Sequence, residues 1–264
     1  SATIEKTAGN LQNLCMTTAN TAQTQFYNAI NLAYMEVSTG VKSYTQSFID
    51  ALRKIGQQGA VIEYPNGRKR SIESAVRTNI LTGVNQTCGK MQEMRANEVG
   101  WDLMEITAHS GARPDHAKWQ GKIISLSGQR GYLSKRDIGY GEATGFKGIN
   151  CRHDWYPYYK GSTRTYTQNE LNKWKNEKVT YNGKKISKYD ATQIQRRMER
   201  QIRADKKELK VQQALLTSNN KDINIEEVQT EIRNIKARQK EHNDILNNFL
   251  NQTGLRKDNS RLVV

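Results

Sequence analysis

The sequence is poor in cysteine, proline and long apolar runs, and each scarcity argues against a class of protein. Its three cysteines, Cys15, Cys88 and Cys151, are an odd number without regular spacing. They argue against a disulfide framework and for a reducing compartment. No apolar run of about 18 residues and no signal-peptide pattern occurs, so we expect neither a membrane span nor secretion. The chain begins at Ser1 and not at methionine, so we expect it to be a trimmed piece of a longer product.

Acidic residues are scarce relative to basic ones. The 264 residues include 41 Lys and Arg against 26 Asp and Glu, a formal net charge of +15. Each basic side chain placed near a phosphate can release a condensed counterion, so this surface suits an acidic polymer. Nucleic acid is the first candidate, and an acidic protein neighbour is the alternative. A mean hydropathy of −0.83 with 36% hydrophobic residues indicates a folded but polar chain with much solvated surface.

Residues 1–100 are predicted to form a helical N-terminal region with one hairpin. Apolar residues at helical spacing predict helices over about 22–33 and 43–55. The short run Ala60–Tyr64 precedes Pro65-Asn66-Gly67, a turn signal that predicts a return strand at Arg68–Arg70.

A longer helix is predicted from Ile72 to about Val99, ending at Gly100. An apolar stripe supports it and places Cys88 in a core-facing position; its members are Val76, Ile80, Val84, Cys88 and Met91.

Residues 101–161 differ in character from their flanks. They hold three of the four histidines and two of the three prolines, and they are dense in glycine and tryptophan. This composition predicts a compact, turn-rich module of short strands. Any chemistry that the chain performs is expected here.

Residues 162–264 are predicted to form a basic helical C-terminal region. From 161 onward the chain has 22 Lys and Arg against 13 Asp and Glu. Thr167 and Glu170 have the spacing of a capping box, and Asn182-Gly183 reads as a tight turn. A helix is predicted over about Asp190–Leu216, with Ile194, Met198, Ile202 and Leu209 facing inward.

A last helix is predicted after the polar break at residues 218–222. Its apolar positions alternate steps of three and four, which favours an antiparallel helical hairpin or an oligomer seam; they are Ile225, Val228, Ile232, Ile235, Leu246 and Phe249. Gln239 and His242 interrupt this seam, so local pairing is favoured over a long isolated coiled coil, and His242 is interpreted as a seam or surface residue.

Two segments could carry chemistry, His109–Gly121 and Gly148–Pro157. One interpretation is a zinc site, since imidazoles and a thiolate are ligands that zinc prefers; the candidates are His109, His116, Cys151 and His153. A second is nucleophilic catalysis by Cys151, with a histidine as base and Asp115 or Asp154 orienting it. A third is structural, in which these polar groups tie short loops together by hydrogen bonds.

Basic residues offer a separate hypothesis, that of nucleic-acid binding. In the central module, Arg113, Lys118 and Arg152 lie among aromatic residues, as in many single-strand binders. In the C-terminal region a basic face is predicted on the helix 190–216. Its members are Arg196, Arg197, Arg200, Arg203, Lys206 and Lys207.

Several separated motifs together resemble the phage minor capsid protein 2 family, which is distantly related to the Mu-type minor head proteins. They are Ala75-Val76-Arg77 with Leu81–Thr87, the segment His109–Gly121, Asn150–His153 with Tyr156-Pro157, and Thr192–Arg203. The resemblance runs from about residue 10 to the C-terminus. The string from His109 to Gly121 is its most specific part.

The resemblance implies a structural protein of the phage virion, made in the host bacterial cytoplasm and acting in head assembly near the portal vertex. Its implied partners are the portal or major capsid protein, packaged DNA, and further copies of itself through the C-terminal helices. Mu-type relatives often carry toxin or nuclease-like modules, and similar folds have been compared with ADP-ribosyltransferases. This chain has no separate catalytic-looking domain, so we expect no enzyme and no cofactor other than a possible zinc ion.

The expected fold is therefore α+β: mainly helical, with a small central module of short strands and a C-terminal basic helical hairpin. Two alternatives stay open from the sequence. One is an enzyme acting on nucleic acid or nucleotide through the His/Cys cluster, and the other is a basic nucleic-acid-binding module.

Overall fold

The computed structural model describes residues 61–63, 67, 69–217 and 223–262, with a few isolated positions between 24 and 50. These residues fall into two compact units. The first contains 74–179 and 185–190, and the second contains the described residues up to 73, then 180–184 and 191–262. The helices predicted over 22–33 and 43–55 lie outside the described residues, apart from those isolated positions. No helix in the described part of the chain combines the length and apolarity needed to cross a bilayer.

The predicted hairpin and long helix are confirmed. Strands β1 (Val61–Glu63) and β2 (Lys69–Ser71) pair antiparallel, and helix α1 spans Ile72–Glu98. Gly100 follows the helix with a positive φ of 68°, a conformation that ends helices at little cost only for glycine. The long helix belongs to the same unit as the central module.

The predicted core-facing stripe of α1 is wrong at Val84, Cys88 and Met91, which are exposed; the side chains of Val76 and Ile80 lie outside the described part of the structure. Among the positions of α1 whose burial is described, the buried ones are small or polar: Ala75, Gly83, Gly89, Glu93 and Ala96. A Cβ at Gly89 would lie 3.0 Å from Cε of Lys147, so the missing side chain gives room to a lysine stem. The helix packs through its small residues because the module presents bulky groups to it.

A four-stranded sheet forms the centre of the first unit. It consists of β3 (Leu103–Ile106), β4 (Ile123–Ser125), β5 (Leu133–Ser134) and β6 (Trp155–Pro157), in the order β5-β4-β3-β6. Strand β3 is antiparallel to both β4 and β6, and β4 is parallel to β5. All four residues of β3 are buried, as expected of a central strand.

Aromatic side chains fill the core behind this sheet. The rings of Phe146 and Trp155 have centroids 4.8 Å apart, and Trp119 meets Phe146 edge-on at 5.7 Å. Met104, Ile106, Ile124 and Ile138 also belong to this cluster. This core places the segment before β6 directly against Trp119.

The first unit also contains helix α2 (Gln168–Lys175), and its predicted capping box is confirmed. The Thr167 hydroxyl accepts from the backbone N–H of Glu170, whose carboxylate accepts from the backbone N–H of Thr167. Strands β7 (Lys178–Tyr181) and β8 (Lys184–Ser187) then form a hairpin. Its turn residues Asn182 and Gly183 both have positive φ, which confirms the predicted tight turn.

The C-terminal helical hairpin is confirmed as well. Helix α3 spans Lys188–Leu216 and helix α4 spans Ile225–Thr253, with Asn224 capping the start of α4 and Gly254 its end. Val228, Ile232, Ile235, Leu246 and Phe249 are buried as the heptad spacing predicted, and Ile225 alone of the seam is exposed. A homo-oligomer through these helices stays a prediction.

The inward face of α3 agrees with the prediction in part. Of the four apolar residues expected inside, Ile202 is fully buried, and Leu209 is half-buried and packs against Val228 and Ile232. Ile194 and Met198 are also half-buried. The other buried positions of α3 within the second unit are Ala191 and five polar residues: Gln195, Glu199, Asp205, Glu208 and Gln212. Four of these five polar side chains have hydrogen-bond or ion-pair partners, which the apolar periodicity did not suggest. Neither amide atom of Gln212 has a hydrogen-bond partner among the described residues.

Candidate functional site

Three buried side chains converge in the central module: His116, Cys151 and His153. The Nδ1 atoms of the two histidines lie 3.3 Å apart, and Sγ of Cys151 lies 3.7 Å from Nδ1 of His153. All three donor atoms lie within 4.8 Å of one another. The structure therefore brings together three of the four residues that the sequence suggested as metal ligands.

Local structure explains why these side chains meet. His116 opens a short 3₁₀ turn, His116–Lys118, and its carbonyl accepts from the backbone N–H groups of Trp119 and Gln120. Cys151 and His153 lie two residues apart on the segment that leads into β6. The Asn85 side-chain amide on α1 donates to the Cys151 carbonyl at 3.1 Å. Helix α1, the 3₁₀ turn and the segment before β6 each position one part of the cluster.

The second nitrogen of each histidine faces an oxygen. His116 Nε2 lies 2.9 Å from the Thr144 carbonyl, and His153 Nε2 lies 3.1 Å from Oε1 of Gln120. If each Nε2–H donates to that oxygen, both Nδ1 atoms keep a lone pair that points into the cluster. Arg113 Nη2 also lies 2.7 Å from His116 Nε2, which allows a second arrangement in which the guanidinium donates there and His116 Nδ1–H donates to His153.

Burial controls the protonation of all three groups. It lowers the pKa of His153 to about 2 and also lowers the pKa of His116, so both imidazoles are neutral at pH 7. The charges of neighbouring His109 and Arg113 act in the same direction on both rings. Burial also raises the pKa of the Cys151 thiol.

His109 does not enter the group of donor atoms. Its ring stacks on the His153 ring with centroids 4.6 Å apart, and its Nδ1 lies 3.0 Å from the Ser110 carbonyl. Its backbone N–H donates to Oε1 of Gln120, the same oxygen that faces His153. His109 therefore supports the cluster from one side.

The geometry gives no support to nucleophilic catalysis by Cys151. An activated cysteine needs a lowered pKa and access to substrate, whereas this thiol is buried with a raised pKa. Neither acid suggested by the sequence orients a histidine. Asp154 pairs with Lys147 at 2.6 Å, and the exposed Asp115 lies 3.7 Å from Lys118.

Lys147 is a central residue that the sequence analysis missed. Its side chain is 1% exposed, and its ammonium donates to Oδ1 of Asn85 at 2.9 Å and to Asp154. Its backbone has a positive φ of 59°, and its carbonyl accepts from Gln86. No helical or strand periodicity in the sequence marks a lysine between Phe146 and Gly148 as buried. Only its contacts in the folded structure identify Lys147 as a link between α1 and the segment before β6.

The basic residues suggested for nucleic-acid binding have different environments in the first unit. Arg152 and Lys118 are exposed, whereas Arg113 is half-buried with its guanidinium against His116 and the Thr144 carbonyl. Arg113 is thus part of the histidine cluster, and Arg152 is available at the surface.

In the second unit, Arg197 and Arg200 on α3 are exposed, and Arg196, Arg203, Lys206 and Lys207 are half-buried. Arg197, Arg200 and Arg203 follow one another at intervals of three residues on α3, so they are neighbours on the helix surface. Partial burial and the charges of Arg203 and Arg197 lower the pKa of Arg200. The Lys206 ammonium donates to the Leu262 carbonyl at 2.8 Å.

A buried ion-pair network also joins α3 to α4. Arg238 donates to Asp205 at 2.8 Å and to Glu208 at 2.5 Å, and His242 Nδ1 lies 2.6 Å from Asp205. The two carboxylate side chains are 5% and 0% exposed. His242, interpreted from the sequence as a seam or surface residue, is half-buried at the rim of this network.

The two described cysteines should differ in reactivity. In a Cys15→Ser background, we expect a maleimide to label Cys88 on α1 at least about tenfold faster than the buried Cys151, because labelling of Cys151 requires local opening. Mass spectrometry of peptides from a time course measures both rates, and Cys88→Ser is the control. Equal rates would contradict the described burial of Cys151.

Two comparisons with known proteins give matches, and both are to phage proteins. Residues 1–250 match the family model described as phage minor capsid protein 2. The chain is also 30% identical over 203 residues to a protein of Lactococcus phage LL-H named "Structural protein", an alignment that covers 73% of this chain. It spans about half of that relative, 52% of its length. No solved structure matches the chain. The protein belongs to the phage minor capsid protein 2 family.

Proposed function

We propose that this protein is a structural subunit of a tailed-phage head that acts in assembly and not in catalysis. The observation that supports it most strongly is the family match over residues 1–250. The described residues agree with a non-catalytic role, because the one buried cysteine beside two histidines has a raised pKa and lies away from solvent.

A position near the portal vertex, after synthesis in the host bacterial cytoplasm, is the finer part of this proposal. A net charge of +15 suits a place where packaged DNA is concentrated. The portal protein and the major capsid protein are the partners that such a position implies.

Cross-linking within purified virions tests this position. Virions of the phage or prophage that encodes the chain would be treated with a lysine-reactive cross-linker and analysed by mass spectrometry. We expect the chain in the particles at low copy number, with cross-links to the portal protein. Presence of the chain in the lysate but not in purified heads would contradict the proposal. Cross-links to the major capsid protein alone would contradict the position near the portal.

Contact with DNA is a second proposed role, supported by the second unit. Arg197, Arg200 and Arg203 are spaced three residues apart on α3 and are therefore neighbours on its surface. A groove of about 620 Å³ in the same unit is lined by Lys206, Lys210 and Lys257 among others. Phosphates placed at this face would relieve the mutual repulsion of the arginines.

Charge neutralisation tests the DNA contact. We expect Arg197→Gln/Arg200→Gln/Arg203→Gln to weaken binding to duplex DNA by about tenfold at low salt and to reduce the slope of log K against log salt by about 2 to 3. Fluorescence anisotropy at several salt concentrations measures both quantities.

The matched control removes the same charge from another helix of the same unit. Arg233, Lys236 and Lys240 are exposed on α4, and their replacement by Gln should change binding much less. Equal losses in the two triple variants would indicate that only net charge matters. Binding that does not depend on salt would contradict the DNA contact altogether.

A further inference from the structure

We propose that His116, Cys151 and His153 form a binding site for one divalent metal ion of the zinc type. Zinc bonds of about 2.05 Å to nitrogen and 2.3 Å to sulfur, at tetrahedral angles, separate two nitrogens by about 3.3 Å and a nitrogen from a sulfur by about 3.6 Å. The two Nδ1 atoms lie 3.3 Å apart, and Sγ of Cys151 lies 3.7 Å from Nδ1 of His153. The remaining separation, between Cys151 and His116, is within 4.8 Å.

The surroundings orient the donor atoms for this role. Metal-bound histidines usually donate their other N–H to an oxygen, which fixes the tautomer and leaves the ligating nitrogen unprotonated. Here the Thr144 carbonyl faces Nε2 of His116 at 2.9 Å, and Gln120 Oε1 faces Nε2 of His153 at 3.1 Å. Both Nδ1 atoms are then acceptors that face each other, an arrangement that a cation between them satisfies.

A cluster held only by hydrogen bonds is the competing arrangement. In it Arg113 donates to His116 Nε2, and His116 Nδ1–H donates to His153 Nδ1. In this arrangement the Cys151 sulfur has a weak S–H contact with His153 at 3.7 Å and bonds from the backbone N–H groups of His153 and Lys147. A metal ion uses all three donors, and two imidazoles with a thiolate are a ligand set that zinc favours.

The ion would join two parts of the module that are distant in the chain. His116 and His153 are 37 positions apart, so coordination closes a long loop and stabilises the folded state.

His109 has no direct role as a ligand, since it lies outside the group of donor atoms. A non-protein ligand such as water would complete the coordination sphere.

Metal content and cobalt spectroscopy test the proposal. Tag-free protein with Cys15→Ser and Cys88→Ser is stripped with chelator, loaded with zinc, desalted and analysed by plasma mass spectrometry. We expect about one zinc per chain and a higher Tm than in the chelated protein. The Co²⁺ form should show the visible bands of a tetrahedral ion and a thiolate-to-cobalt charge-transfer band in the near ultraviolet.

The variants separate ligands from neighbours. Cys151→Ser should remove the charge-transfer band and lower zinc affinity by at least about tenfold. His116→Ala should do the same to affinity, and His116→Cys should restore part of it. His109→Ala is the matched control, because it removes an imidazole that stacks on His153 but is not a ligand. This variant should retain about one zinc per chain.

Defined results would overturn the site. Absence of zinc and of cobalt bands in the folded parent protein would leave the hydrogen-bonded cluster as the correct arrangement. Retention of zinc by Cys151→Ser with unchanged affinity, or its loss in a folded His109→Ala, would show that the ligands are different. Should Cys151→Ser fail to fold, the charge-transfer band of the parent protein decides whether a thiolate binds the ion. None of these results depends on the proposed role in head assembly.

Discussion

Replacement of Gly148 by alanine should destabilise the first unit by about 3 kcal/mol. A Cβ at this position would lie 2.4 Å from the Glu142 carbonyl oxygen and 2.6 Å from that of Ala143. Both atoms belong to backbone, so they cannot move aside as a side-chain end can. The Gly148 carbonyl also accepts from the backbone N–H of Cys151, so the displaced loop would carry Cys151 away from the histidines.

Thermal and chemical unfolding followed by circular dichroism measure this loss. Thr144→Ala is the matched control, because Thr144 is exposed in the same loop and contributes its backbone carbonyl to His116, which the substitution keeps. It should change the free energy of unfolding by less than about 0.5 kcal/mol. A Gly148→Ala protein as stable as Thr144→Ala would mean that the loop is not packed as described.

Replacement of Arg238 by alanine should cost the second unit about 3 kcal/mol of stability. Removal of one partner of a buried ion pair leaves the other charge desolvated, which typically costs about 3 to 5 kcal/mol. Glu208 would lose its arginine, and Asp205 would keep only His242. The lower end of the range applies because Arg238 is itself partly exposed, with 36% of its side chain accessible.

Urea unfolding of the variant and of a control measures this effect. Arg233→Ala is the control, since Arg233 lies on the same helix, is exposed and bonds only to the Thr230 hydroxyl among the described contacts. It should stay within about 0.5 kcal/mol of the parent. Glu208→Gln added to Arg238→Ala should recover part of the loss, because it replaces a buried charge that has lost its arginine by a neutral amide. Equal stability of the two single variants would contradict the network.

The heptad spacing of α4 was predictive because its apolar positions recur over most of the helix and pack against α3, the helix that directly precedes it in the chain. Apolar spacing gave a wrong prediction for α1, where Val84 and Met91 belong to the predicted apolar stripe but are exposed. The face that packs there has Gly89 in contact with the Lys147 stem. Periodicity analysis detects the spacing of apolar side chains. It therefore does not detect a helix face that packs through glycine, which has no side chain.

The candidate metal site was partly predictable. Histidine and cysteine are uncommon in this chain, and their concentration in two short segments led to His116, Cys151 and His153 together with His109. Which three converge depends on the pairing of β3 with β6 and on the turn at His116–Lys118. Nothing in the sequence indicated the orienting oxygens of Thr144 and Gln120. Every residue has a backbone carbonyl, and no sequence pattern distinguishes Gln120 from the other glutamines.

The sequence by itself determined the element types, the capping box at Thr167, the turn at Asn182-Gly183 and the resemblance to a family, because these depend on local chemistry or on residue order. Only the tertiary structure decided which polar groups are buried, since burial depends on contacts between distant segments. Lys147, Asp205 and Glu208 are charged residues that sequence rules place at the surface, and each is buried beside its partners. Tertiary packing thus selected Lys147 as a buried link within the first unit, and Asp205 and Glu208 as buried partners within the second.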